Sequence, residues 1–169
     1  MSVFYPDYTF SRIFMIPSSF FQERGISTLL IDVDNTLTTD NNPVPHGEVL
    51  AWLDAQRAAG LRLLALSNNR RERVAPFAAR LGLEYIAGAA KPLPAKVNRA
   101  LKKMGILKGE AAVIGDQLFT DILCGRLAGC TTILVEPMEL EGYGFFKLKR
   151  PVEERILRRY RARRKGRGL

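Results

Sequence analysis

Asp32 and Asp34 stand one residue apart at the end of the apolar run Leu29-Leu30-Ile31. Polar or ionisable groups follow three later apolar runs in the same way. Ser67 and Asn68 come after Leu63-Leu64-Ala65-Leu66, Lys91 lies past Tyr85-Ile86, and Asp116 and Asp121 follow Ala111-Ala112-Val113-Ile114. If the runs are parallel strands, their C-terminal ends share one sheet edge, and residues distant in sequence converge there. Carboxylates gathered with a hydroxyl, an amide and a lysine suit Mg2+ and a phosphate. Hard oxygen ligands select the cation, and the ammonium and nearby main-chain N–H groups receive phosphate oxygens.

Taken singly, each piece has a plainer reading. Asp32-Val33-Asp34-Asn35-Thr36 could open a calcium loop, but it lacks glycine at the sixth position and follows an apolar strand rather than a helix. Ser67-Asn68 could cap a helix, Lys91 could be a solvated lysine, and Asp116 and Asp121 could serve a turn and a cap. Their occurrence together, each past a strand, favours a site.

The elements that must position these groups are legible. Ser27–Asp32, Arg62–Ser67, Glu84–Ile86, Ala111–Ile114 and Thr131–Val135 read as five strands. Helical segments alternate with them: His46–Ala59, a stretch with Val74, Phe77, Ala78 and Leu81 on one face, one buried through Val97, Leu101 and Met104, and about Leu118–Ala128. Gly60 and Gly82 stand where helix C-cap glycines belong, and Pro94 suits a first helical turn. This alternation predicts an α/β, Rossmann-like fold with a mainly parallel five-stranded sheet and helices on both faces. Only 33 positions separate Asp34 from Ser67 and the next interval is equally full, so no large cap domain is expected over the site. An open mouth admits large or surface-bound esters, although the N-terminal flap or an oligomer partner could close it.

A chain of 169 residues, 47% hydrophobic, supports one core. The formal charge of +9 is unevenly placed. Residues 147–169 carry eleven Lys and Arg against Glu153 and Glu154, and residues 1–146 carry equal numbers of each sign. Val152, Ile156 and Tyr160 recur every fourth residue among arginines, the pattern of a basic amphipathic helix. Such a tail fits an anionic partner, either a membrane surface or nucleic acid. The organisation expected is thus an aromatic N-terminal flap over 1–26, a catalytic core over 27–146 and the basic tail over 147–169. Half of all Phe and Tyr fall in the first 21 residues, where they either pack on the core or meet lipid. No apolar run reaches the roughly 20 residues needed to span a bilayer, and the N-terminus lacks a basic secretory n-region. Cys124 and Cys130 match no redox or zinc spacing and read as reduced cysteines of a cytoplasmic protein, peripheral to the inner membrane face if the tail binds there. His46, beside Pro45 with no partner motif, and Trp52 read as structural.

The ordered set Asp32-Val33-Asp34-Asn35-Thr36-Leu37, Ser67-Asn68, Lys91-Pro92 and Gly115-Asp116-Gln117-Leu118-Phe119-Thr120-Asp121 resembles the four motifs of the haloacid dehalogenase (HAD) superfamily of phosphatases. The likeness runs through most of the chain. Ser67-Asn68-Asn69, the Gly-Asp-Gln form of the last motif and Gly144-Phe145-Phe146 ahead of the basic tail are similar to subclass IIIA of the YqeG type, a group resembling phosphatidylglycerophosphate phosphatases. The resemblance implies that Asp32 is the nucleophile forming an aspartyl-phosphate and Asp34 the general acid/base. It implies that Asp32, the main-chain carbonyl of Asp34, and Asp116 hold Mg2+, that Ser67, Asn68 and Lys91 receive the phosphoryl group, and that Asp121 orients Lys91 or the metal shell. A phosphomonoester, with a lipid phosphate at the membrane surface preferred, is the implied substrate. A soluble nucleotide or sugar phosphate is the alternative within enzymes. A nucleic-acid or ribosome-associated binding protein using the basic tail is the alternative outside them.

Overall fold

Alternation along Leu29-Leu30-Ile31 sends side chains to opposite faces, and with all three apolar the strand can only be a central one. In a computed structural model, which describes residues 3–39, 42, 44–138, 153, 155–160 and 162, this strand is fully buried from Thr28 to Asp32. Six strands run β1 Tyr8–Phe10, β2 Thr28–Asp32, β3 Arg62–Leu66, β4 Glu84–Ile86, β5 Ala111–Gly115 and β6 Thr131–Val135. They pair in the order β1-β6-β5-β2-β3-β4, every pair parallel.

Helices cover both faces: α1 Ser18–Gln22, α2 Gly47–Ala58, α3 Arg71–Arg80, α4 Ala95–Met104 and α5 Leu123–Ala128. Leu29 and Ile31 pack in one core with Val49, Trp52 and Leu53 of α2 and Phe77 of α3, whereas Leu30 packs in the other with Val97 and Leu101 of α4 and Cys124 and Ala128 of α5. Burying each such aliphatic side chain contributes about 1.5–3 kcal/mol. Gly60 and Gly82 adopt φ of +84° and +61° past α2 and α3, the left-handed conformation their positions predicted. Each connection from β2 to β6 is one helix with its loops, and no cap domain is present among the described residues.

The sheet has six strands where five were expected. Tyr8-Thr9-Phe10, in the segment read as a flap, pairs with Ile133-Leu134-Val135 at the sheet edge. Of the two readings for the N-terminal aromatics, packing prevails. Phe21 is buried, and Tyr8, Phe10, Phe14 and Phe20 pack on the same core. Trp52 is core as expected, its indole N–H donating to the Ile16 carbonyl at 2.7 Å.

Chain order locates the site. From β2 the chain moves outward through β3 to β4, then returns to the opposite side of β2 as β5. Loops leaving β2 and β5 therefore diverge, and the crevice lies at the C-terminal ends of these two neighbours. The helix expected from Leu118 begins as a π-helical turn, Leu118–Ile122, before α5. Ile156 and Leu157 of the tail, in helical conformation, pack against Leu118, Ile122 and Leu134, and Glu153 accepts a hydrogen bond from the Leu118 N–H at 3.1 Å. Arg155, Arg158 and Arg159 are exposed, while Tyr160 is buried with its ring 5.5 Å from that of Tyr5. Val152, Gly144-Phe145-Phe146, the 146/147 boundary and residues 163–169 lie outside the described residues. No helix among those described is long and apolar enough to cross a membrane.

Candidate active site

Asp32 is the last residue of β2, in register with Leu66 on β3, so Ser67 follows at its side. Lys91 reaches the same point from the loop after β4, behind the cis peptide Lys91-Pro92. Its ammonium lies 2.5 Å from Asp32 Oδ1, 2.5 Å from Asp121 Oδ1 and 3.2 Å from the Leu66 carbonyl, with only 4% of the side chain exposed. Asn68 holds the Lys91 main chain on both sides: its Oδ1 accepts from the Lys91 N–H at 2.7 Å, and its Nδ2 donates to the Lys91 carbonyl at 3.2 Å. Ser67 is buried, and its Oγ accepts from the Asn69 N–H at 3.1 Å.

Asp34 lies past the end of β2, just before the chain turns at Asn35 with φ of +59°, a conformation asparagine tolerates better than most residues. Asn69 Nδ2 donates to one carboxylate oxygen at 2.7 Å, and Arg73 donates to the other at 2.8 Å. Neither was anticipated. Asn69 had a signal in continuing Ser67-Asn68, but Arg73, in the run Arg70-Arg71-Glu72-Arg73, reads like any solvated helix start.

One ligand oxygen each from Asp32, Asp116 and Asp121 lies within 4.8 Å of the others. Burial pushes Asp32 up to about 7, Lys91 opposing and Asp121 adding to it. Burial, then the charges of Asp32 and Asp121, raise Asp116 well above the ordinary carboxylate range. Burial alone would lower Lys91, but Asp121 and Asp32 outweigh it and hold the ammonium charged. Three carboxylates face this one ammonium, and Asp116 Oδ1 is buried without a hydrogen-bond partner. Surplus negative charge, hard oxygen donors and an unpartnered oxygen fit a divalent cation. Asp121 is the most committed of the three, since its Oδ1 meets Lys91 and its Oδ2 accepts from the Gln117 N–H at 3.1 Å.

Gly115 makes room for that arrangement. A Cβ there would stand 2.3 Å from Asp121 Cγ. Gly115→Ala should therefore displace Asp121 and with it Lys91, at about 1–3 kcal/mol in stability and about 100-fold in kcat. Thermal melts and steady-state kinetics check both, and an unchanged variant would contradict this account. His46 stands just before α2 and its side chain makes no capping hydrogen bond, and Cys124 and Cys130 are buried thiols that burial pushes up to about 11, which suits packing rather than nucleophilic roles.

A parallel sheet whose switch point gathers these motifs defines a class, and the family model for haloacid dehalogenase-like hydrolases matches residues 42–129: the chain belongs to that family. Over 154 residues it is 36% identical to "Probable phosphatase YqeG" of Bacillus subtilis, an alignment covering 91% of this chain and 90% of the relative, which puts it with the phosphatases of that type. A 59-residue stretch is 44% identical to "Ribonucleotide monophosphatase NagD" of Escherichia coli K12, covering 32% of this chain and 24% of that protein. The fold is also similar to the solved structure of NagD, with TM-score 0.54, 18% identity and coverage of 73% of this chain and 91% of that one. Cobalt-bound deoxy-D-mannose-octulosonate 8-phosphate phosphatase of Haemophilus influenzae is similar as well, with TM-score 0.53, 20% identity and coverage of 66% and 69%.

Proposed function

We propose that this phosphatase hydrolyses phosphomonoesters through an aspartyl-phosphate on Asp32, with Mg2+ as its cation, and that its natural substrate is a lipid phosphate such as phosphatidylglycerophosphate at the inner membrane surface. The observation carrying the chemistry is the Lys91 ammonium wedged between Asp32 and Asp121, with the unpartnered Asp116 oxygen alongside. Asp32 attacks phosphorus as the bond to the leaving oxygen breaks, and Asp34 donates the proton that oxygen needs. Asp34 then removes a proton from water, which attacks the same phosphorus and frees Asp32 as a carboxylate. Lys91 balances the charge of Asp32 before transfer and of the phosphoryl oxygens after it. The Ser67 hydroxyl and the main chain of Asn68 receive those oxygens, while the Asn68 amide fixes Lys91. Asp32, Asp116 and the main-chain carbonyl of Asp34 would hold the cation, with Asp121 steadying Lys91 at its edge. Bound there, it neutralises charge on the transferring group.

The membrane half of the reading is supported by the lack of a cap domain over the sheet edge among the described residues and by the exposed Arg155, Arg158 and Arg159 on a segment whose apolar residues Ile156 and Leu157 pack inward. The name of the relative matching 59 residues at 44% favours a second reading, a soluble nucleotide phosphatase. Phosphate release from lipid phosphate in anionic vesicles, set against nucleotides and sugar phosphates, separates the two. EDTA should abolish release, Mg2+ should restore it, and the lipid should be the better substrate by at least about tenfold, the discrimination worth 1.4 kcal/mol. Turnover confined to nucleotides would replace the lipid with the second reading. RNA binding by the wild type, lost on deleting residues 147–169, would give the tail a nucleic-acid partner instead.

A further inference from the structure

From Tyr85 to Gly109 the chain has six Lys and Arg and no acid. Lys91 turns inward to the site, and α4 carries four of the others. This helix buries Val97 and Leu101 against the sheet, and its exposed positions are Ala95, Lys96, Arg99, Lys102 and Lys103. At 3.6 residues per turn these five fall within about 120° of the helix circumference, so the outward face of α4 is a cationic stripe. None of the four cations pairs with a carboxylate among the described residues. Lys96 braces the loop before Lys91, donating to the Ala87 and Gly88 carbonyls at 3.2 and 2.6 Å.

Leucines bracket the stripe. Leu93, just before α4, is 62% exposed and Leu107, just after it, 68%, the most exposed of the large apolar residues described, and Leu127 of the neighbouring α5 is exposed as well. A basic stripe alone is an ordinary solvated face. With exposed leucines at both ends it matches an anionic bilayer, where cations lie among the headgroups and leucines leave water for the acyl boundary. Nucleic-acid phosphates would satisfy the cations and leave the leucines wet. The stripe also starts beside the site, because Leu93 is two residues past Lys91. We infer that the outward face of α4, with Leu93 and Leu107 at its ends, docks the catalytic core on an anionic bilayer, an inference that rests on the membrane half of the proposed function and gives the core a contact separate from the tail.

Sedimentation of the full chain with vesicles of phosphatidylglycerol and phosphatidylcholine reads docking without turnover. Replacing three cations together, Arg99→Gln, Lys102→Gln and Lys103→Gln, should weaken partitioning about 100-fold, and Leu93→Ser with Leu107→Ser at least about tenfold. The triple change should act by the same factor in a background of Arg155→Gln and Arg159→Gln, as independent contacts do. On p-nitrophenyl phosphate the triple variant should keep wild-type kcat/KM, whereas on lipid phosphate in the vesicles it should lose about 100-fold. No vesicle binding by the wild type, a triple or leucine variant that binds like the wild type, or an equal loss of turnover on both substrates overturns the inference. Lipid phosphate dispersed singly in nonionic detergent needs no docking. Failure to hydrolyse it there removes the lipid from the proposed function, and vesicle binding still decides the surface.

Discussion

Asp32→Asn is expected to lose at least about 10⁴-fold in kcat, the scale on which removing a nucleophile acts, while keeping a cooperative melt. The amide is nearly isosteric with the carboxylate but has no anionic oxygen to attack phosphorus. Folding should tolerate it because the substitution acts in two opposing ways. Lys91 loses one of its two carboxylate partners at 2.5 Å, and the protein no longer carries the desolvation that pushes Asp32 up to about 7. The discriminating measurement is covalent trapping. Acid-quenched wild type given labelled p-nitrophenyl phosphate should retain label as an acyl phosphate that hydroxylamine releases, and Asp32→Asn should retain none. Asp34→Asn should retain more label than wild type, since p-nitrophenolate leaves without an acid but water still needs a base to attack the intermediate. Label on Asp32→Asn, or turnover within tenfold of wild type, would remove Asp32 from the nucleophile's role.

Much of this site was legible because its parts follow buried strands whose apolar content is unambiguous. β4 and β6 begin and end where Glu84–Ile86 and Thr131–Val135 were read, and the groups past β2, β3, β4 and β5 meet at one edge. β1 was not legible. Three residues with a partly buried pattern become a strand because β6 offers an unpaired edge, and local sequence carries no sign of that partner. The π-helical turn was hidden for a related reason. Leu118 and Ile122 are apolar four residues apart, a spacing an ordinary helix accepts, and the wider turn accompanies a fold-back in which Asp121 reaches both Lys91 and the Gln117 N–H. Asp121 was assigned by resemblance to orienting Lys91 or the metal shell, and its carboxylate contacts Lys91 directly. The partners of Asp34 were the real omission, because Arg73 acquires meaning only once α3 is packed beside β2's loop.

Lys91→Met should be the single change most damaging to stability, and it should slow turnover as well. The ammonium is buried between Asp32 and Asp121, and Asp116 lies within the same cluster, so deleting it leaves carboxylates in a desolvated pocket without their compensating charge. Breaking a buried pair from one side costs about 3–5 kcal/mol, which for a domain of this size lowers Tm by roughly 6–20 °C. The methionine chain fills similar volume, so lost charge rather than a cavity dominates. Adding Asp121→Asn should therefore return part of the loss, because it removes one of the carboxylates that Lys91 had balanced. Turnover should fall by about 10²–10³-fold, the usual effect of deleting one group that meets developing charge, and the double variant should not regain it, since the phosphoryl oxygens still lack their cation. Thermal melts of the two single variants and the double variant, with kinetics on the same preparations, separate these effects. A Lys91→Met variant that melts with wild type, or a double variant less stable than Lys91→Met alone, would mean that Lys91 does not balance the carboxylates at the end of β2.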